Sequence, residues 1–203
     1  MEVLIATKNK GKIKKYSTML DALDIKYKTL NDFNENIEVE ENGLTPKENS
    51  IIKAKAYYKK FNIPVLVDDC GLVIDKLPSE KQPGVFVRRY NGKRLSDEEM
   101  IELYSKELKE VGGESTGGFI IAISIIDNKG QIYTTESKHE RLFVSEPCKE
   151  RTVGYPMNSL IFIKETGKYL AQEYEGEKIY KGNSFGKKDF EFIKSVLGGN
   201  NEK

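Results

Sequence analysis

The sequence predicts an α/β fold with a mixed sheet, and three observations carry that expectation. Apolar runs, Val3-Leu4-Ile5-Ala6 and Pro64-Val65-Leu66-Val67, alternate with capped helical segments in the first half. A continuous apolar run from Phe119 to Ile126 meets the turn Asp127-Asn128-Lys129-Gly130, beyond which a second strand begins near Gln131. The chain has 203 residues, 38% of them hydrophobic, which suits one large or two small globular domains.

Each element has its own warrant. The first strand passes through Thr7-Lys8-Asn9 into a helix with Asn9 as N-cap, and Ile13, Tyr16, Leu20 and Leu23 recur at helical spacing. Residues 25–30 read as a strand. In Thr45-Pro46-Lys47-Glu48, the threonine caps, the proline fits the first turn and the glutamate completes a capping box, so a helix runs to about Phe61. The strand after Pro64 is expected to end at Asp68-Asp69. Ser96-Asp97-Glu98-Glu99 opens another capped helix, closed by Gly112-Gly113. Residues 159–164 read as a strand. A last helix, from about Ser184 to Leu197, places Phe190, Ile193 and Leu197 on one face.

Composition excludes several classes. Lys+Arg total 33 and Asp+Glu 32, a balance unlike that of a protein that coats nucleic acid by bulk charge. No run has the length of a membrane span, and the N-terminus lacks the apolar core of a signal peptide. Two cysteines, Cys70 and Cys148, make no disulfide framework, so a reducing cytoplasm is expected. His139 is the only histidine, which argues against a His-based triad or a Cys/His zinc site. A catalytic metal would therefore be held by oxygen.

Three segments could carry chemistry. Thr7-Lys8-Asn9-Lys10-Gly11-Lys12 sits at a helix N-terminus, where free N–H groups and nearby lysines make an anion site; taken alone, a solvated lysine-rich helix start is the favoured reading. It is not a Walker A loop, because the glycine spacing differs. Asp68-Asp69-Cys70-Gly71-Leu72 places two acids next to an apolar strand, where side chains alternate and only one acid can face a given side. Those acids suit a hard metal or, alternatively, a turn that caps its own backbone. Glu41-Asn42-Gly43 precedes the helix bearing Asn49 and Lys53, which share a face four residues apart. Glu41 could add a second carboxylate to a metal and Lys53 a phosphate contact; a solvated, capped helix face is the alternative.

Taken in order, these segments resemble the inosine triphosphate pyrophosphatase family, the Ham1-like noncanonical purine nucleotide pyrophosphatases. That family's Thr-x-Asn-x-x-Lys loop is matched by Thr7, Asn9 and Lys12. Its Glu-x-Gly-x-Thr segment is matched by Glu41, Gly43 and Thr45, followed by Glu48-Asn49 and Lys53-Ala54. Its Asp-Asp-Ser-Gly-Leu signature is Asp68-Asp69-Cys70-Gly71-Leu72 here, with Asp75 in place. Pro83-Gly84-Val85-Phe86 and Arg89-Tyr90 match a further segment. The resemblance implies an elongated mixed α/β fold of the ITPase/Maf-like kind, one domain over 1–203 with two lobes around a central cleft, and a homodimer. It implies hydrolysis of a nucleoside triphosphate to the monophosphate and pyrophosphate with Mg²⁺. Thr7, Lys8, Asn9, Lys10 and Lys12 would hold the triphosphate, with Asn49 and Cys70 also lining the substrate site. Glu41 and Asp69 would hold the metal, Lys53 would contact phosphate, and Asp69, next to Asp68, would activate water. Neither nucleic acid nor membrane is an expected partner.

The C-terminal half departs from the family. Gly-Phe-Gly-Tyr-Asp-Pro becomes Thr152-Val153-Gly154-Tyr155-Pro156, so the aspartate is absent while Tyr155 can still stack on a base. Lys178 best matches a phosphate-contacting lysine, with Lys181 a rival. Ser-His-Arg becomes Ser184-Phe185-Gly186, keeping the serine and losing the pair that reads the 6-oxo group. Two further readings follow: a pyrophosphatase with shifted base specificity, and a nucleotide-binding protein of this fold with little catalysis.

Overall fold

The computed structural model describes residues 2–33, 37–90, 92–173 and 184–198. A seven-stranded sheet runs in the order β2-β1-β3-β6-β7-β8-β9, where β1 is Glu2–Ile5, β2 Lys26–Thr29, β3 Val65–Ile74, β6 Glu114–Ile126, β7 Ile132–Val144, β8 Ile161–Ile163 and β9 Lys168–Tyr169. It is mixed: β1 is parallel to β2 and β3, whereas β8 is antiparallel to β7 and β9. A two-stranded ribbon pairs β4 (Arg89–Tyr90) with β5 (Lys93–Arg94). The helices are α1 (Lys10–Asp21), α2 (Pro46–Phe61), α3 (Asp97–Glu110), α4 (Leu170–Glu173) and α5 (Ser184–Leu197). None of the described helices is long and apolar enough to cross a membrane.

Contacts divide the chain into two compact units. The first comprises residues 1–69, 121–137 and 175–203. In it, Leu4, Val65, Val67 and Ile126 pack with Ala54 and Tyr57 of α2. Tyr16, Met19 and Leu20 of α1 and Ile193 and Leu197 of α5 are buried as well. The second comprises residues 70–120 and 138–174. Its core joins Leu72 and Ile74 to Met100, Tyr104 and Leu108 of α3, and to Phe143 and Leu160.

Capping signals place the helices as expected. Thr45 accepts from the Glu48 N–H and Ser96 from the Glu99 N–H, each in a full capping box. Gly112 and Gly113 take φ of +100° and +86° beyond α3, a backbone only glycine adopts readily.

Three expected strand limits are corrected. β3 does not end at Asp68-Asp69 but continues through Cys70-Gly71 to Ile74, because Leu72 and Ile74 supply a second set of inward apolar residues. β6 starts at Glu114, five residues before Phe119. Gly117 and Gly118 are strand residues there, since a Cβ at Gly117 would collide with the Val73 carbonyl and one at Gly118 would lie 2.8 Å from the His139 carbonyl oxygen. Of residues 159–164, only Ile161–Ile163 are strand, Pro156 having started a 3₁₀ turn through Ser159.

Candidate active site

Strand alternation sorts the two aspartates. Asp69 shares the face of Val65 and Val67, which pack against α2; Asp68 shares the opposite face with Leu66. Each therefore meets a different helix. Asp69 Oδ1 accepts from Lys53 Nζ of α2 at 2.6 Å, and Asp68 Oδ1 lies 3.0 Å from Lys12 Nζ of α1. Both aspartates are buried although they lie within the strand rather than at its end.

The α1 side is built around a helix start. Asn9 Oδ1 accepts from the Gly11 and Lys12 N–H groups, and Thr7 Oγ1 accepts from the Asn9 N–H. Lys8 and Lys10 are exposed on the same loop. Behind it lies a feature missed from sequence: Lys15 is buried and donates to Asp189 Oδ2 of α5 at 2.6 Å. Burial pushes the Asp68 carboxyl up, but the charges of Lys12, Lys15 and Lys53 outweigh it and hold the group below the usual carboxylate range.

The α2 side carries two acids around one lysine. Lys53 Nζ lies 2.6 Å from Asp69 Oδ1 and 3.6 Å from Glu41 Oε2. Burial raises the Asp69 carboxyl; Lys53 and, more weakly, Lys12 oppose this only in part, and Glu41 adds to the rise. Asp69 Oδ2 is buried with no hydrogen-bond partner among the described residues. An orphaned carboxylate oxygen beside a second carboxylate fits a hard divalent cation. No group of three or more His, Cys, Asp or Glu is assembled among the described residues. A hard divalent cation can be held by one or two carboxylates when water and substrate phosphates supply its remaining oxygens.

Asn49 is 2% exposed, and its Oδ1 accepts from the Gly43 N–H at 2.8 Å. Cys70 and Tyr155 belong to the second unit. Cys70 and Cys148 are not joined in a disulfide. Ahead of Tyr155, Gly154 takes φ of +81°; its N–H donates to Asp97 Oδ2 and its carbonyl accepts from Arg88 Nη2, while Arg88 and Asp97 pair at 2.6 Å. Lys178 and Lys181 lie outside the described residues, as do the side chains of Ser184 and Phe185.

A family model described as the Ham1 family matches residues 3–179. The chain belongs to the Ham1 family. Among its relatives, the dITP/XTP pyrophosphatase of Geobacter sulfurreducens is 34% identical over 84% of this chain and 84% of its own. That of Halalkalibacterium halodurans is 32% identical over 87% of this chain and 90% of its own. A Ham1 protein structure from Coxiella burnetii superposes with a TM-score of 0.77 at 27% identity, covering 97% of this chain and 98% of that one. The Staphylococcus aureus Ham1 structure gives 0.75 at 24% identity, over 98% and 99%, a likeness of fold. The mixed α/β fold expected from sequence is thus the Ham1 fold.

Proposed function

We propose that this Ham1-family chain hydrolyses nucleoside triphosphates of the dITP/XTP type to the monophosphate and pyrophosphate with Mg²⁺. The observation that carries the reading is the pair of acids around Lys53, Asp69 and Glu41, with one buried Asp69 oxygen left without a hydrogen-bond partner among the described residues. The relatives named dITP/XTP pyrophosphatase supply the substrate class.

Bound at Glu41 and Asp69, Mg²⁺ would offset the negative charge that develops on the phosphates as the bond breaks. The α1 loop binds the anion: its helix N-terminus and Lys8, Lys10 and Lys12 face a polyphosphate, with Asn9 holding the turn in shape. Lys53 orients a phosphate oxygen while keeping Asp69 in place. Asp69 takes the proton of the attacking water, whose oxygen bonds to phosphorus as the P–O bond between the α and β phosphates breaks and pyrophosphate leaves. Burial raises its carboxyl above the ordinary aspartate value, which favours proton uptake. Asp68, kept ionised by lysines, orients Lys12. Tyr155 stacks on the base, Cys70, Lys178 and Ser184 add substrate contacts, and the enzyme is a homodimer in the cytoplasm.

Pyrophosphate release with Mg²⁺ across inosine, deoxyinosine, xanthosine, deoxyuridine and the standard triphosphates tests this reading. Release from none of them favours a nucleotide-binding protein. Phe185-Gly186, in place of a hydrogen-bonding pair, favours a second reading in which base selectivity has broadened. Under it, Phe185→His with Gly186→Arg raises selectivity for 6-oxo purines.

A further inference from the structure

Glu41 lies on residues 37–43, which have no regular secondary structure, so something else must fix its carboxylate near Lys53. Leu44 is 87% exposed, so its side chain does not anchor the segment. Three successive N–H groups do. Gly43 N–H donates to Asn49 Oδ1 at 2.8 Å, while the Leu44 and Thr45 N–H groups donate to Glu48 Oε2 at 2.7 and 3.2 Å. Glu48 is the capping-box residue of α2, and Asn49 is the next residue along. At Gly43 there is no room for a side chain: a Cβ would stand 2.7 Å from Asn49 Oδ1 and 2.7 Å from Glu48 Cβ.

We propose that Asn49 is a positioning residue, not a substrate contact, and that with Gly43 it forms a latch setting the carboxylate of Glu41 for the divalent cation. This rests on the metal role proposed above for Glu41. The latch transmits α2 geometry to the acid. Asn49 lies one helical turn before Lys53, so the same rigid helix places the lysine and, through Gly43, the glutamate two residues upstream. Partners behind metal ligands commonly govern affinity about 10- to 100-fold.

The test is direct titration of the full-length protein with Mn²⁺, read by electron paramagnetic resonance without nucleotide, beside steady-state kinetics and thermal midpoints. Asn49→Ala and Gly43→Ala, which break the same hydrogen bond from its two ends, should each weaken Mn²⁺ binding about 10- to 100-fold. The double variant should be no worse than the weaker single. Excess metal should restore kcat, with nucleotide KM near wild type. Asn49→Asp keeps an acceptor oxygen for Gly43 and should rescue Mn²⁺ affinity. Were Asn49 a phosphate contact, Asn49→Asp would instead bind nucleotide worse than Asn49→Ala at saturating metal, which overturns the latch. Glu41→Gln separates the two levels. Unchanged Mn²⁺ affinity there removes Glu41 as a ligand and overturns both readings. A loss in Glu41→Gln with none in Asn49→Ala or Gly43→Ala overturns the latch alone.

Discussion

The starts of α1 and α2 are built alike and differ in charge balance. Each is a capped helix N-terminus, at Asn9 and Thr45, and each sends a lysine to one of two adjacent aspartates, Lys12 to Asp68 and Lys53 to Asp69. On the α1 side lysines outweigh burial and keep Asp68 ionised. On the α2 side burial, helped by the nearby Glu41, outweighs Lys53 and Lys12, and Asp69 is pushed up. The difference teaches a division of labour. An excess of cations suits holding an anion, while two acids sharing one cation suit a metal and a proton acceptor. Strand alternation sets the stage for the division, since neighbouring residues of β3 face opposite helices.

Breaking the α2 side should have the largest effect. Asp69→Asn is expected to lower kcat about 10²- to 10⁴-fold, the range for losing a general base, as measured by pyrophosphate release. The same variant should fold at least as well as wild type at neutral pH. A carboxyl raised in the folded state stabilises the fold at low pH, and that contribution disappears as pH rises through its folded value. Marked unfolding of Asp69→Asn at neutral pH would contradict the contrast.

Breaking the α1 side should instead appear in binding. Lys12→Met should raise nucleotide KM about tenfold, equivalent to ~1.4 kcal/mol, while kcat changes less. A kcat loss as large as that of Asp69→Asn would dissolve the division. Asp68→Asn sharpens it through stability. Because the folded carboxyl is lowered, its contribution is present above the ordinary carboxylate value of about 4 and is lost as pH falls through the lower folded value. Urea melts should therefore show Asp68→Asn below wild type near pH 7, with the gap closing in acid.

The smallest expected effect tests the likeness of the two starts. Asn9→Ala and Thr45→Ala should each cost about 1 kcal/mol in urea unfolding, because each cap accepts the N–H groups that open its helix. A negligible loss at Asn9 alone would mean the loop is shaped by something other than its cap.

What could be read from the sequence follows from range. Capping is local, so Asn9, Thr45 and Ser96 marked their helices correctly from a few residues each. Strand limits depend on neighbours. Gly117-Gly118 resembles a break until the Val73 and His139 carbonyls are seen pressing on it. Two adjacent acids read locally as the end of a strand, yet lysines from two helices make Asp68 and Asp69 tolerable inside β3. Gly43 gave no local hint either, since only the close approach of Asn49 and Glu48 explains it. Lys15, within a lysine-rich stretch, had every mark of a solvated helix face, and its partner is 174 residues away.

That separation bears on how the protein is made. During synthesis α1 leaves the ribosome long before α5, yet the buried ammonium of Lys15 finds the Asp189 carboxylate only when the last helix arrives. A nascent chain stalled upstream of α5 has α1 ready to bury a cation and lacks the counter-charge from Asp189, a costly arrangement in a low-dielectric interior. Translation thus supplies the Asp189 carboxylate only after α1 and every strand of the sheet have been made.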